Sequence, residues 1–351
     1  MQTEIVEIRS VKAQQAELNR AGQLIREGSL VAFPTETVYG LGANGLDGEA
    51  CRAIYEAKGR PSDNPLILHV ADGKMIREIA ADITELAEKL IAAFCPGPIT
   101  LILRHTALVP AEITGGLETV GIRMPDNDVA RAFIKAAGVP VAAPSANLSG
   151  RPSPTTAEAV QADMEGRIPL ILDGGVCRFG VESTIVDCTG EKAVILRPGA
   201  ITEEMLREVA GEVEIDPALV GADAVPRAPG MKYKHYAPQA PLTLLEGEPA
   251  SMLPGMEREI KRLRSEGHRV GVIASREVLQ GLEDLVPESL QVDYGPQGDL
   301  PEIAANLYEA LRYFDETEAD RLLAEGTATE GLGLAIMNRL HKASAFHSLQ
   351  V

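Results

Sequence analysis

Lys58-Gly59-Arg60-Pro61 and Ser145-Ala146-Asn147 are the segments of this chain best suited to chemistry. The first sets two cations one residue apart beside Gly and Pro. The second places a hydroxyl and a carboxamide in a loop that follows an apolar run. Cations neutralise phosphate charge, and Ser and Asn add directional hydrogen bonds, so the two together fit a polyphosphate joined to a nucleoside. A plainer role for Lys58 and Arg60 is to complement the dipole at the end of a helix.

Other segments carry the same mixture of polar residue and irregular backbone. Phe33-Pro34-Thr35-Glu36-Thr37-Val38-Tyr39-Gly40-Leu41-Gly42 breaks off a strand into a hydroxyl-bearing loop. Packing of β-branched Thr is the alternative reading there. Arg123 lies near the end of the apolar stretch Val120–Met124 and needs an anion beside it, either a protein carboxylate or a ligand. His69 sits inside Leu66–Val70, where a structural role competes with ligand contact. The loop from Ala142 to Thr155 is rich in hydroxyls, and Val181-Glu182-Ser183-Thr184 and Leu196-Arg197-Pro198-Gly199 again set polar residues beside apolar strands. The joint occurrence of these segments points to a nucleotide-handling site.

The elements that must position them follow from periodicity. Apolar positions recur at helical spacing from Val11 to Glu27, and Gly28 stops the helix. A strand at Leu30–Phe33 follows. Asp47 opens a second helix, carrying Ala50, Ala53, Ile54 and Ala57 on one face and closing at Gly59. Strands are expected at Leu66–Val70, Thr100–Leu103, Val120–Met124, Val139–Ala143, Leu170–Leu172, Thr184–Val186 and Ala193–Leu196. Helices are expected at Met75–Phe94, Asp128–Ala137, Thr156–Asp163 and Thr202–Val209. The last strands are joined by connections too short for parallel crossovers, which predicts a mixed sheet in an α/β domain.

From about Asp216 to Pro241 the texture changes. Arg227-Ala228-Pro229-Gly230-Met231-Lys232-Tyr233-Lys234-His235-Tyr236-Ala237-Pro238 is basic, aromatic and bracketed by Pro, with no clear period. It reads as a linker, and its cations and rings suit a segment that covers an anionic ligand better than a passive tether. Beyond it, strands at Leu242–Leu245, Val270–Ala274, Leu290–Tyr294 and Arg321–Ala324 alternate with helices at Met256–Glu266, Pro301–Phe314 and Leu332–Lys342, the pattern of a small parallel-sheet domain. Gly331-Leu332-Gly333 lacks both the feeding strand and the third Gly of a dinucleotide fingerprint. The domains expected are 1–211, a linker at 212–240, and 241–351.

Composition narrows the function classes. With 33 basic and 51 acidic side chains the formal charge is −18, which argues against a surface built to grip nucleic acid and for a small anionic substrate in a cleft. Aromatics are 4% with no Trp, so the cores must rest on aliphatic residues. Cys51, Cys95, Cys177 and Cys188 are scattered without metal-ligand spacing and read as free thiols of a reducing compartment. No basic n-region with an apolar h-region opens the chain, and no apolar run matches a bilayer, so a cytoplasmic protein is expected.

These segments, in this order, resemble the YrdC-like family, and most closely its two-domain members, the threonylcarbamoyl-AMP synthases. The resemblance extends through the linker and into Gly331-Leu332-Gly333-Leu334-Ala335-Ile336-Met337-Asn338-Arg339-Leu340. It departs at Cys95, where relatives often carry Trp, and a local packing change is expected there. The resemblance implies a YrdC-like twisted mixed sheet with flanking helices and a smaller Rossmann-like α/β domain. It also implies formation of L-threonylcarbamoyladenylate and pyrophosphate from L-threonine, bicarbonate or CO2 and ATP, for threonylcarbamoyladenosine modification of tRNA beside the anticodon.

By the same resemblance, Lys58 and Arg60 serve the phosphates and the carbamate. Arg60, Asn64, Thr119, Ala143, Ser145, Asn147, Ser153 and Arg197 line the ATP site, with Lys232, His235 and Tyr236 closing over it from the linker. Thr35, Thr37, His69, Arg123 and Ser183 bind threonine, Arg123 pairing with its carboxylate. Mg2+ is expected on the ATP phosphates, held by substrate and water rather than by protein ligands. The product passes to the tRNA threonylcarbamoyl-transferase machinery, without stable tRNA binding by this chain and without a membrane partner. Three other functions compete. Carbamoyl transfer in hydrogenase maturation calls for an acylphosphatase-like segment and paired C-x-x-C motifs, neither of which is present. A non-catalytic RNA-binding module is disfavoured by the charge. A nucleotide site within the second domain lacks a Gly-rich phosphate loop.

Overall fold

A computed structural model of the chain describes residues 2–219 and 235–351. It divides into two compact units, one of residues 2–149 with 153–219, the other of 150–152 with 235–351.

The first unit runs β1 (Glu4–Glu7), α1 (Gln15–Arg26), β2 (Val31–Phe33), β3 (Gly40–Asn44), α2 (Gly48–Lys58), β4 (Ile67–His69), α3 (Gly73–Ile79), β5 (Ala80–Asp82), α4 (Glu85–Phe94), β6 (Ile99–His105), α5 (Ala111–Thr114), β7 (Thr119–Arg123), α6 (Asp128–Ala137), β8 (Val141–Ala143), α7 (Ala157–Met164), β9 (Leu170–Asp173), β10 (Thr184–Asp187), β11 (Ala193–Arg197), α8 (Glu203–Ala210) and β12 (Val213–Ile215). Its strands lie in the order β1-β9-β2-β3-β8-β4-β7-β6-β10-β11-β12, with β5 on β6, and the pairings are mixed as expected. The β4–β7 and β6–β10 pairs are parallel, whereas β6–β7, β4–β8 and β10–β11 are antiparallel.

Alternation along the strands sorts side chains onto two faces. Val31 and Phe33 pack with Leu18, Ile25, Phe133 and Ile134 beneath α1 and α6. Ala32 between them joins the larger core of Leu41, Ile54, Leu68, Leu90, Leu101 and Ile122. Aliphatic residues dominate both cores.

Helix α2 shows how local sequence sets an end point. Asp47 accepts hydrogen bonds from the Glu49 and Ala50 amides, and Gly59 closes the helix in the left-handed region at φ 61°. A side chain at Gly59 would strain that turn. The stop falls just after Lys58, so the last helical residue is the first functional one.

Several elements depart from the sequence reading. The helix expected at Met75–Phe94 is two, α3 and α4, separated by edge strand β5 and restarted at Thr84, whose hydroxyl accepts from the Ala87 amide. Helix α1 begins only at Gln15. In the second unit, the helix expected from Met256 begins at Pro249 and carries Pro254 within it. Strands β1, β3, β5 and β12 were not expected, and β12 extends the sheet into residues 213–215 beside β11.

The second unit runs β13 (Leu242–Glu246), α9 (Pro249–Ser265), β14 (Val270–Ala274), α10 (Arg276–Gln280), β15 (Gln291–Asp293), α11 (Leu300–Tyr313), β16 (Arg321–Glu325), α12 (Leu332–Ala343) and β17 (Ser348–Gln350). All its pairings are parallel, in the order β15-β14-β16-β13-β17. A short segment from earlier in the chain belongs to it. Arg151 pairs with Asp315 at 2.6 Å, Arg312 Nη2 donates to the Pro152 carbonyl, and the Ala237 amide donates to Gly150.

Among the described residues no helix is long and apolar enough to cross a membrane. None of the four cysteines is joined in a disulfide; Cys51, Cys177 and Cys188 are buried and Cys95 is half-buried.

Candidate functional site

The two motifs that open the chemistry meet in the fold. Lys58, at the end of α2, is 3% exposed, and its Nζ donates to the main-chain carbonyls of Ser145 (2.5 Å) and Asn147 and to Asn147 Oδ1 at 3.4 Å. The Ser149 amide donates back to the Lys58 carbonyl. Within the loop, Ser145 Oγ donates to Asn147 Oδ1 at 2.5 Å, and Asn147 Nδ2 donates to the Leu148 carbonyl at 2.8 Å. Ser145 also bridges to Gly40, and the Ala146 amide reaches the Tyr39 carbonyl. The Ser-x-Asn loop is therefore fixed by an ammonium charge at one end and by the start of β3 at the other. Lys58, which the sequence reading gave to phosphate and carbamate, stands at the Ser-x-Asn loop with its ammonium on this backbone. Arg60, half-buried, donates through Nη2 to the carbonyls of Asn64 (3.4 Å) and Pro65 (3.1 Å), and the Tyr55 hydroxyl donates to the same Asn64 carbonyl.

A second cluster forms where β4 and β7 run parallel, with His69 opposite Arg123. Arg123 finds the anion that its apolar strand demands in Glu36, at 2.8 Å, both side chains being almost fully buried. Its Nη2 also donates to Thr35 Oγ1 at 3.4 Å. Thr35 folds the loop around its own hydroxyl, accepting from the amides of Thr37 (3.1 Å) and Val38 (3.2 Å) and donating to the Val38 carbonyl (2.6 Å). Thr37 Oγ1 lies 3.0 Å from Thr35 Oγ1. Burial, and then the Arg123 charge, push His69 down to about 3, so its imidazole is neutral. Its Nδ1 lies 3.3 Å from the Ile67 carbonyl, which fits a proton on that nitrogen, and its ring meets Phe33 edge-on. Burial also raises the Cys95 thiol to about 11; the nearby Arg123 charge lowers it and Glu36 raises it.

The third cluster begins at β10. Arg197, ending β11, donates through Nε and Nη2 to the Ser183 carbonyl at 3.1 and 3.0 Å, and through Nη2 to Ser183 Oγ at 3.1 Å. Ser183 Oγ shares a 2.7 Å hydrogen bond with Thr100. One residue earlier, Glu182 accepts from Ser153 Oγ at 2.6 Å. Thr119 opens β7 two strand repeats before Arg123, on the same face. Ala143 ends β8 opposite Ile67, just before the Ser-x-Asn loop.

The sequence-predicted residues of the first unit thus fall at the end of α2, in the loop between β2 and β3, and on the ends of β4, β7, β8, β10 and β11 with the loops next to them. Glu36 is the functional candidate that sequence reasoning did not single out, although the demand for an anion at Arg123 was legible. His235 and Tyr236 lie in the second unit. There Tyr236, at φ 63°, stacks on Tyr308 at 5.4 Å beneath the Arg339 guanidinium, 5.8 Å from its ring. Lys232 lies outside the described residues. Among the described residues no group of three or more His, Cys, Asp or Glu could hold a metal ion.

Known proteins resemble this chain along its whole length. The family model described as "Telomere recombination" (Sua5, YciO and YrdC) matches residues 23–199, and the one described as "Threonylcarbamoyl-AMP synthase, C-terminal domain" matches residues 201–345. The threonylcarbamoyl-AMP synthase of Pyrococcus abyssi is 47% identical over 351 residues, covering 99% of this chain and 100% of that one. The threonylcarbamoyl-AMP synthase of Bacillus subtilis is 47% identical over 330 residues, 93% of each chain. The crystal structure of P. abyssi Sua5 complexed with L-threonine superposes with a TM-score of 0.93 at 46% identity, covering 99% of this chain and 100% of that one.

Proposed function

This chain belongs to the Sua5/YrdC family of threonylcarbamoyl-AMP synthases, and from that premise we propose that it joins L-threonine, bicarbonate or CO2, and ATP into L-threonylcarbamoyladenylate, releasing pyrophosphate. The observation that carries the reading is the Lys58 clamp on the Ser145–Asn147 loop, set in a chain that matches these synthases from end to end. The amine of threonine takes up CO2 to give a carbamate and a proton. A carbamate oxygen then attacks the α-phosphorus of ATP, and pyrophosphate leaves. Two anions must approach one another, so the site has to screen their repulsion and hold them in line.

In this reading Lys58 sets the loop whose Ser145 and Asn147 hold the nucleotide, and with Arg60 it serves the phosphates and the carbamate. Arg60, Asn64, Thr119, Ala143, Ser153 and Arg197 complete that site from the first unit. Arg123 takes the threonine carboxylate, with Thr35, Thr37, neutral His69 and Ser183 around the rest of the molecule. Mg2+ arrives on the ATP phosphates, where substrate and water supply its ligands. The adenylate then serves threonylcarbamoyl transfer to tRNA, and the free thiols fit a cytoplasmic setting.

The test is pyrophosphate release from ATP with L-threonine and bicarbonate each present or omitted. Release that needs both, and falls at least about a hundredfold in Lys58→Ala, is the expected result. Release without threonine would instead identify an ATPase or a different acceptor.

A further inference from the structure

The pair at the heart of the threonine site is a buried cation held by a buried anion. Glu36 and Arg123 side chains are 2% and 5% exposed and 2.8 Å apart. Neither Glu36 oxygen accepts a hydrogen bond and Arg123 Nε donates none, so little besides the charge contact joins them. A pair of that kind is a poor device for stability, since removing two ions from water costs about what their attraction returns. It has a clear effect on recognition. The guanidinium faces the opposite charge of Glu36 and two uncharged neighbours. Arg123 and Glu36 cancel, while His69, at about 3, and Cys95, at about 11, are both neutral.

A lone Arg123 would attract any carboxylate. With Glu36 beside it, an incoming monoanion meets attraction and repulsion together, in surroundings where charge is poorly screened. A zwitterion meets neither penalty: its carboxylate faces the guanidinium and its ammonium balances the Glu36 field. We propose that Glu36 is a specificity-determining residue of the amino-acid site, positioning Arg123 and making the site select zwitterionic amino acids over hydroxy acids that lack the amine. This inference rests on the reading of Arg123 as the contact for the threonine carboxylate.

Calorimetric titration of the full chain with L-threonine and with 3-hydroxybutyrate, which differs only by the missing amine, tests it. In the parent, threonine is expected to bind at least about tenfold more tightly. In Glu36→Gln, of nearly the same shape, that preference collapses to within about threefold, and Glu36→Asp restores most of it. Equal weakening of both ligands in Glu36→Gln would overturn the proposal, leaving Glu36 as a support for Arg123 alone. Unchanged binding of both would overturn it too. Were Glu36→Gln not to fold, the parent still decides, because equal affinity for the two ligands sinks the selection. A parent that binds no threonine would fail earlier, overturning the assignment of the site itself.

Discussion

His69 illustrates how a single side chain reports on its surroundings. Its folded-state value of about 3 lies below the ordinary 6.5, so on acidification the unfolded chain takes up a proton that the native chain refuses. The stability held by the neutral ring is complete above about pH 6.5 and is lost progressively as pH falls toward 3, at up to about 1.4 kcal/mol per pH unit. His69→Asn is therefore expected to flatten the pH dependence of the unfolding free energy between about pH 4 and 6.5, as read by denaturant titration. A parent and variant of equal slope would mean that the ring is solvated. Residue types that could do chemistry were legible in the sequence, because Lys, Arg, Ser and Asn stand out beside Pro and Gly. Their partners were not. Lys58 meets carbonyls 87 and 89 positions away, and no periodicity announces such a contact. Glu36 stayed hidden between two threonines, where a loop carboxylate looks like ordinary surface.

At the scale of elements, α2 delivers Lys58 and its two ends do different work. Asp47→Ala removes the cap on the Glu49 and Ala50 amides and is expected to cost about 1 kcal/mol of stability, with little effect on nucleotide affinity. Gly59→Ala forces a side chain into the left-handed turn at the other end, at a similar cost of about 1 kcal/mol. Because Lys58 is its neighbour, that variant is expected also to weaken ATP binding severalfold. Thermal melts paired with ATP titration check both, and equal ATP affinity in the two variants would argue against the link. The start and stop of α2 were readable because caps are local. The division of residues 75–94 was harder to see, since Ile76, Ile79, Leu86, Ala87, Leu90 and Ile91 keep roughly helical spacing across the gap. Only edge pairing of Ala80 and Asp82 with β6 breaks the helix, and that pairing is tertiary. Thr84 followed by Glu85 and Glu88 was the visible trace of the restart. Strands such as Glu4–Glu7, largely exposed, are specified by their partner β9 rather than by their own composition.

At the scale of the whole molecule, residues 150–152 form part of the second unit although Ser149 and Ser153 on either side belong to the first. Arg151 on Asp315 and Arg312 on the Pro152 carbonyl hold this segment within the second unit, although in sequence it lies between Asn147 and Ser153. Fixing one residue of a free loop costs about 1–2 kcal/mol in conformational entropy. Here that ordering is completed as the chain folds, before any nucleotide arrives, so less of it remains to be charged against binding. Asp315→Ala removes one anchor without touching a residue assigned to the site. It is expected to raise the KM for ATP about three- to tenfold and to leave the rate at saturating ATP nearly unchanged, by steady-state pyrophosphate assay. A lower saturating rate with unaltered KM would contradict this. The second half of the chain would then act on catalysis through disorder forgone: a shorter protein ending at residue 219 keeps Lys58, Ser145, Asn147 and Ser153 but must immobilise its own loop at every turnover.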